Sequence, residues 1–454
     1  MKHIMIMRTR ILHPGFEQCH GRDIFRIYFL FMLLWIMALF PQGLQAADEI
    51  SAGEVLTLER CIDIAKKNYP GLLSAAGSVE ASRSRVQQAE AGYYPQVNLS
   101  SGYSRIGPAD SNKTTSSNTS PYDEYQSSVN LSQTIYDFGR TPGNVEVSSL
   151  SAEASQADMD SETINVVFAV KQAFFGLLQA RQDRDALLES VAQYELHLRQ
   201  AKGFYETGIK PKIDVTKAEV DLSQAKLALL KAQNAVRIAR ITLNNAMGIP
   251  DAPEYGIQDT PGLQDYATGL DEALKRGYDS RPDLRAARAR REAAQRSVDL
   301  AEKGYYPVLS GNAGYGWTGE EFPLDRQWSV GATVDVPLFS GFSTRSQISE
   351  ARGNLAVTMG NEELVRQSVR YDIEQAFSNL TEVSERIALA ELSVRQAREN
   401  RDLAQGRYAA GIGNPIEVTD ALVSETVAKI AYSNALYDYR IAVASLEKAM
   451  GVTP

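Results

Sequence analysis

The stretch AEKGYYPVLSGNAGYG, Ala301–Gly316, nearly copies AEAGYYPQVNLSSGYS, Ala89–Ser104, about 212 residues earlier. In both, an alanine-rich helical pattern runs into Gly-Tyr-Tyr-Pro and then into an alternating, turn-poor pattern. Proline cannot donate the next helical hydrogen bond, so this corner is where a helix hands over to a strand. Two further echoes keep the same order. GIKPKIDVTKAEV from Gly208 and GIGNPIEVTDALV from Gly411 lie about 203 residues apart, and IYDFG ending at Gly139 and PLFSG ending at Gly341 about 202 apart. The excess in the first half falls where GPADSNKTTSSNTSPYDE, Gly107–Glu124, reads as a polar loop. One architectural unit is therefore used twice: residues 47–247 and 270–454, divided by a Pro- and Gly-bearing linker over 248–269.

Each half reads helix, strand, loop, strand, long helix, tight tip, helix. No proline interrupts the chain between Pro142 and Pro211 or between Pro337 and Pro415, and both intervals are rich in helix-favouring Ala, Gln, Glu, Leu and Arg. Some 65 helical residues make a rod of about 100 Å. The three- and four-residue apolar steps in VVFAVKQAFFGLLQA and RIALAELSVRQA predict coiled-coil neighbours along that rod. Strands are expected over about 95–106, 123–137, 307–318 and 326–339. Their apolar residues alternate: Val97, Leu99 and Tyr103; Tyr125, Val129, Leu131 and Ile135; Leu309, Ala313, Tyr315 and Trp317; Trp328, Val330, Ala332, Val334 and Val336. Each is long enough for a tilted bilayer crossing. A four-stranded soluble sheet would show the same alternation, so the context has to decide.

The first 46 residues supply that context. Lys2, Arg8, Arg10, Arg22 and Arg26 precede the apolar run IYFLFMLLWIMALF, and LQAADEI offers a cleavage site near Ala46. This reads as a secretion signal, and nothing later reads as a transmembrane helix. The whole chain carries a formal charge of −9, and the mature chain would carry about −12, because the leader holds five basic and two acidic residues. An acidic chain is a poor match for nucleic acid. The basic run RPDLRAARARRE from Arg281 reads as a salt-bridged helix face. His197 and Cys61 are the only histidine and cysteine beyond the leader, which leaves no Cys/His metal spacing and no internal disulfide. Both read as packing residues. No catalytic cluster, cofactor motif or metal motif is found, so an enzyme is not expected.

Four strands cannot close a barrel, since about eight is the smallest number that does. An open sheet would leave edges unpaired in lipid. The chain therefore calls for an oligomer whose members share one barrel, with long helices continuing below. In its two-fold repeat, its Gly-Tyr-Tyr-Pro corners, its IYDFG and PLFSG strand ends and its two Gly-Ile tips, the mature chain resembles the TolC-like outer-membrane factors. That family serves as the exit duct of bacterial efflux and type I secretion systems.

The resemblance implies a membrane α+β fold. In it a homotrimer shares a 12-stranded β-barrel set in outer-membrane lipid and a periplasmic α-helical barrel, and the linker lies near an equatorial region. It implies a passive channel-tunnel whose partners are a periplasmic adaptor (membrane fusion) protein and an inner-membrane transporter. Glu417 and Asp420 match two acidic positions that line the family's constriction. Their i, i+3 spacing shares one helix face, and a trimer would gather six carboxylates, a cation-selective ring. Acids in a first turn also complement the helix dipole, and the two readings are compatible. Tyr408 and Asp214 match a contact that helps hold the tip shut, with the phenol expected to donate to the carboxylate. Gly413 stands where the best-known member has a basic residue, and Lys210, Lys212 and Lys217 on the opposite tip offer compensating charge; Lys217 is counted with the latch. Tyr103, Tyr315, Trp317 and Trp328 are the expected membrane-boundary aromatics. The competing reading is a non-conducting surface or periplasmic coiled-coil scaffold or adhesion protein, which would need no barrel strands.

Overall fold

The computed structural model describes residues 50–51, 53–107, 121–259 and 268–452. The expected leader, most of the loop between the first two strands, and part of the linker lie outside them. The first repeat holds β1 (Val55–Leu56), α1 (Leu58–Asn68), α2 (Pro70–Glu90), β2 (Gln96–Ile106), β3 (Tyr122–Tyr136), α3 (Arg140–Glu206) and α4 (Lys212–Ala246). The linker holds β4 (Gly256–Ile257), and the second repeat holds α5 (Leu270–Ser280), α6 (Pro282–Glu302), β5 (Val308–Gly319), β6 (Asp325–Asp335), α7 (Ser343–Ala409) and α8 (Pro415–Ala449).

The repeat is kept to the residue. Helices of 11, 21, 67 and 35 residues occur in the same order in both halves. A 67-residue helix is about 100 Å long, the rod expected from the proline-free intervals. Each shorter pair is split by a proline at the start of its second helix, Pro70 and Pro282, where the missing N–H costs nothing. The short strand β4, inside the linker, pairs in parallel with β1 and ties the divider to the first repeat.

The four long strands form one antiparallel sheet in the order β2-β3-β5-β6. Their register gathers the alternating apolar residues onto one face. Leu99 lies opposite Val129, Val129 opposite Tyr315, and Tyr315 opposite Trp328; the next row is Val97, Leu131, Ala313 and Val330. The other face is small and polar: Ser100, Ser128, Asn130, Asn312, Gly314 and Ser329. Strand β6 stops at Asp335, short of the expected 339, because Val336 precedes Pro337 and a proline supplies no ladder donor.

Both motifs at the strand ends are helix caps. The Asp137 carboxylate of IYDFG accepts the backbone N–H groups of Gly139, Arg140 and Thr141 at 3.0, 3.0 and 2.6 Å, and the Thr141 hydroxyl at 2.6 Å. Ser340 of PLFSG occupies the matching place, with its hydroxyl 3.1 Å from that of Thr344. The Gly-Tyr-Tyr-Pro corners press against these same caps. A Cβ on Gly304 would sit 2.8 Å from Thr344 Cγ2, and one on Gly92 would sit 3.0 Å from Thr141 Cγ2. The glycine of the repeated motif is thus a contact point between the corner and the long helix. Between repeats, Arg140 donates to the carbonyls of Lys303 and Tyr306 at 3.0 and 2.7 Å, and the Lys303 ammonium donates to that of Gly139 at 2.7 Å.

Below the sheet, an 18-residue window of α3 has a mean hydropathy of 1.3, apolar enough by length and composition to cross a membrane. This corrects the expectation that no later segment would be. Val166, Val167, Val170, Phe174 and Leu177 of α3 instead pack against Cys61, Ile64 and Leu243 in a buried core. The basic run of α6 is salt-bridged as expected: Arg285 pairs with Asp160 at 2.9 Å, Arg290 with Asp158, and Arg291 with Glu362 at 2.9 Å.

Burial opposes the charge of Asp137, but the bonds from Thr141 and from the Gly139 and Arg140 backbone outweigh it and hold the carboxyl below its ordinary value of 3.8. Its stabilising contribution is therefore complete above that value and fades as pH falls through the lower folded one. Asp137→Ala should cost about 1 to 2 kcal/mol at neutral pH, and Ser340→Ala less. Thermal unfolding at pH 7 measures both, and equal losses would contradict the cap assignment.

Candidate functional site

The two hairpins end in tips of one design. After α3, Gly208 takes φ +77°, and Ile209 and Lys210 donate their N–H groups to the Phe204 carbonyl at 2.9 and 3.2 Å. After α7, Gly411 takes φ +78°, and Ile412 and Gly413 donate to the Arg407 carbonyl at 3.2 and 3.0 Å. Glycine at this left-handed position closes a helix without a Cβ penalty. The next helix starts at once, capped at α8 by the Asn414 side chain accepting from Ile416 N–H at 3.0 Å, with Pro415 in its first turn.

The hairpins pack against each other through a buried cluster. Val191 and Tyr194 of α3, Ala225 of α4, Ala404 and Tyr408 of α7, and Val418, Ala421 and Leu422 of α8 form it. Tyr408 is fully buried, its ring 5.5 Å from Phe204 and 5.0 Å from His197. Burial, and secondarily the Asp214 carboxylate, push its phenol up. Its hydroxyl nevertheless has no hydrogen-bond partner, so the bond to Asp214 expected from sequence is not formed within this chain. Asp214 is buried in the first turn of α4, held near Tyr408 by packing.

Other residues make the polar links between tips. The Lys210 ammonium lies 5.8 Å over the Tyr408 ring and donates to the Gly413 carbonyl at 3.2 Å. A Cβ on Gly413 would lie 2.6 Å from Tyr408 N and 2.9 Å from Arg407 C. The turn therefore has no room for a side chain at this position, and the cation beside it is Lys210 of the opposite tip. The Thr419 hydroxyl of α8 donates to the Asp221 carboxylate of α4 at 2.9 Å, both groups buried. Lys217 lies 3.5 Å from the same carboxylate, so it belongs to its own hairpin rather than reaching the other. Lys210, Asp221 and Thr419 went unread as a set because they meet only across the hairpins; their one sequence signal is the lysine cluster of the first tip.

Glu417 and Asp420 stand exposed on one face of the start of α8. Glu417 lies 3.5 Å from Arg407 with both side chains about half exposed, a pairing worth little in water. Asp420 and, more strongly, Asp221 add to the burial that raises the Tyr194 phenol to about 12. Farther up, buried Glu425 meets Arg401 and Lys429, each at 3.0 Å, and Lys429 also reaches Glu189 at 2.8 Å. Among the described residues, no cluster of His, Cys, Asp and Glu could hold a metal ion.

At the sheet, Trp328 is the most exposed of the four expected aromatics, with Tyr315 directly opposite and Trp317 edge-on to Tyr315 at 4.9 Å. Tyr103 instead joins a row with Tyr125 and Phe322, at ring spacings of 5.2 and 5.1 Å. A second aromatic group, Tyr136, Phe138 and Tyr306, gathers at the corner end of the sheet.

Replacing Lys210 by Met keeps the aliphatic stem and removes the cross-tip bond. Such a bond is worth about 1 to 2 kcal/mol, so amide exchange at Ile412 and Gly413 should quicken about tenfold. Unchanged protection would show that the bond does not hold the tip.

A family model described as outer membrane efflux protein matches residues 61–249 and 273–452. The outer membrane protein TolC of Vibrio cholerae is 25% identical over 402 residues, covering 85% of this chain and 89% of its own. The outer membrane protein OprJ of Pseudomonas aeruginosa is 25% identical over 408 residues, covering 87% and 84%. The crystal structure of the Campylobacter jejuni CmeC outer membrane channel superposes with a TM-score of 0.78 at 18% identity, covering 90% of each chain. The chain belongs to the outer membrane efflux protein family: it is an outer-membrane efflux or secretion channel that extends into the periplasm.

Proposed function

We propose that this family member works as a homotrimeric, passive export duct, docked to a periplasmic adaptor and fed by an inner-membrane transporter. The observation that carries the assembly is the sheet. Its apolar face is bare, with Leu99, Trp328 and Val330 each more than 70% exposed, while the opposite face is small and polar. Among the described residues, strands β2 and β6 each have one partner and one free edge. Lipid tolerates neither a free edge nor an irregular closure. Three copies, joined β6 to β2, close twelve strands with the polar face toward a water-filled lumen.

The helices support the same closure. Within the chain, α3 of one repeat packs beside α6 of the next. The bare apolar positions near the start of α7, among them Val357 and Leu364, suit α2 of a neighbouring copy, which repeats that seam between chains. The hairpin tips then converge on the three-fold axis. There the exposed Glu417 and Asp420 supply the acidic constriction, and Lys210, Tyr408, Asp214 and the Asp221–Thr419 pair, with its neighbour Lys217, hold neighbouring hairpins together. Tyr103, Tyr315, Trp317 and Trp328 rest at the lipid boundary, where amphipathic rings are favoured. Energy for transport comes from the partner, since the duct offers only a lined path and a gate.

Mass measurement in detergent should give three mature chains, and planar bilayers should show single channels. Replacing Glu417 and Asp420 together by Ala should lower the cation-to-anion permeability ratio several-fold and relieve block by divalent ions. A stable monomer would end the shared-barrel reading, and unchanged reversal potentials would return the two acids to a capping role.

A further inference from the structure

His197 is the one histidine among the described residues, and it sits in the seam between the two hairpins. It is 2% exposed, its ring lies 5.0 Å from that of Tyr408, and its Nδ1 is buried with no hydrogen-bond partner. The Tyr408 hydroxyl is a second buried polar atom with no partner. Two such groups side by side are expensive in a packed seam unless something uses them.

The titratable groups that act on the imidazole come from two packed elements: helix α4 supplies Asp214, Lys217 and Asp221, and α7 supplies Tyr408. One layer farther out, Lys210 lies over the Tyr408 ring, and Asp420 of α8 acts on Tyr194 of α3. The Arg401, Glu425, Lys429 and Glu189 group pairs within itself. Burial pushes the imidazole below its ordinary value of 6.5; Asp221 and Asp214 pull it back up, and Lys217 pushes it down.

We infer that His197 is a proton-operated release for the tip: its protonation draws Asp221 away from Thr419 and separates the hairpins. The geometry gives the direction. His197 and Asp221 belong to the same hairpin, whereas Thr419 belongs to the other. A neutral imidazole leaves the Asp221 carboxylate to accept the Thr419 hydroxyl at 2.9 Å, a bond between hairpins. Lys217 already lies 3.5 Å from that carboxylate on the same hairpin without displacing the hydroxyl; an imidazolium adds a second cation there, a far stronger partner than a hydroxyl, and the added charge turns a contact between hairpins into one within a hairpin. It also places a cation beside the fully buried Tyr408 ring, which opening would hydrate. The closed tip is thus favoured above the ordinary imidazole range and loses ground as pH falls through it. Each unit separating the two states' values shifts the closed-to-open ratio about tenfold.

This inference rests on the gated-duct reading, so the test separates the two. Ile209 and Ile412 are exposed, one on each tip, and accept spin labels as Ile209→Cys and Ile412→Cys in a full-length chain assembled with excess unlabelled chain. The distance between labels should widen between pH 7.5 and 5.5, and His197→Gln should abolish that response. In bilayers the unlabelled protein should conduct about threefold or more better at the lower pH, with the ratio falling toward one in His197→Gln. A label distance that ignores pH overturns the inference, as does a widening that survives His197→Gln, which would assign the response to the carboxylates. A widening without any conductance supports the release and removes the duct instead.

Discussion

A sheet edge cannot be left bare in hydrocarbon. Four strands with one apolar face and two unsatisfied edges are not a finished object, and the rest of the molecule follows from the need to finish it. Closure around an axis sets the curvature of the sheet, and the long helices inherit their spacing from the strands above them. The Gly-Tyr-Tyr-Pro corner and the Asp137 and Ser340 caps lie where one spacing is converted into the other. There the helix cannot slide, because glycine meets threonine at van der Waals contact and the cap fixes the first turn of the rod.

The lower end is organised by a weaker kind of force. Its apolar cluster is small, and the groups that bridge the hairpins are single polar bonds rather than a continuous core. Neighbouring strands of the sheet pair over eleven residues, whereas a tip seam gains a handful of bonds, each worth about 1 kcal/mol. The same chain is therefore held by long ladders in its sheet and by few polar bonds at its tips.

Much of the fold was legible in sequence, because helix length, proline placement and strand alternation are local properties. The repeat offsets alone set which helices would match, and the 67- and 35-residue pairs follow them. The apolar stretch of α3 was under-read, because burial among neighbours, rather than composition, tells it from a membrane span. The candidate site was legible only in part. Glu417 and Asp420, like the Tyr408–Asp214 bond, were carried over from a family pattern; helical spacing adds that the two acids share a face, and the phenol is packed without a partner. Lys210 reaches Gly413 and Asp221 meets Thr419 across about 200 residues of chain, and no local pattern announces such pairs. His197 read as packing, which it is, though its unpartnered nitrogen could be seen only once Tyr408 was placed beside it.

The Lys210–Gly413 contact also bears on why the unit is duplicated within one chain. Positions 210 and 413 are counterparts in the two repeats. A ring of six identical single repeats would have to set like against like at every tip: six lysines repelling one another, or six glycines with nothing to donate. Joining two copies in tandem lowers the symmetry from six-fold to three-fold. One copy can then diverge into a donor and the other into an acceptor whose bare backbone admits it. Tandem duplication thus lets position 210 carry the donor while its counterpart, position 413, keeps the bare acceptor.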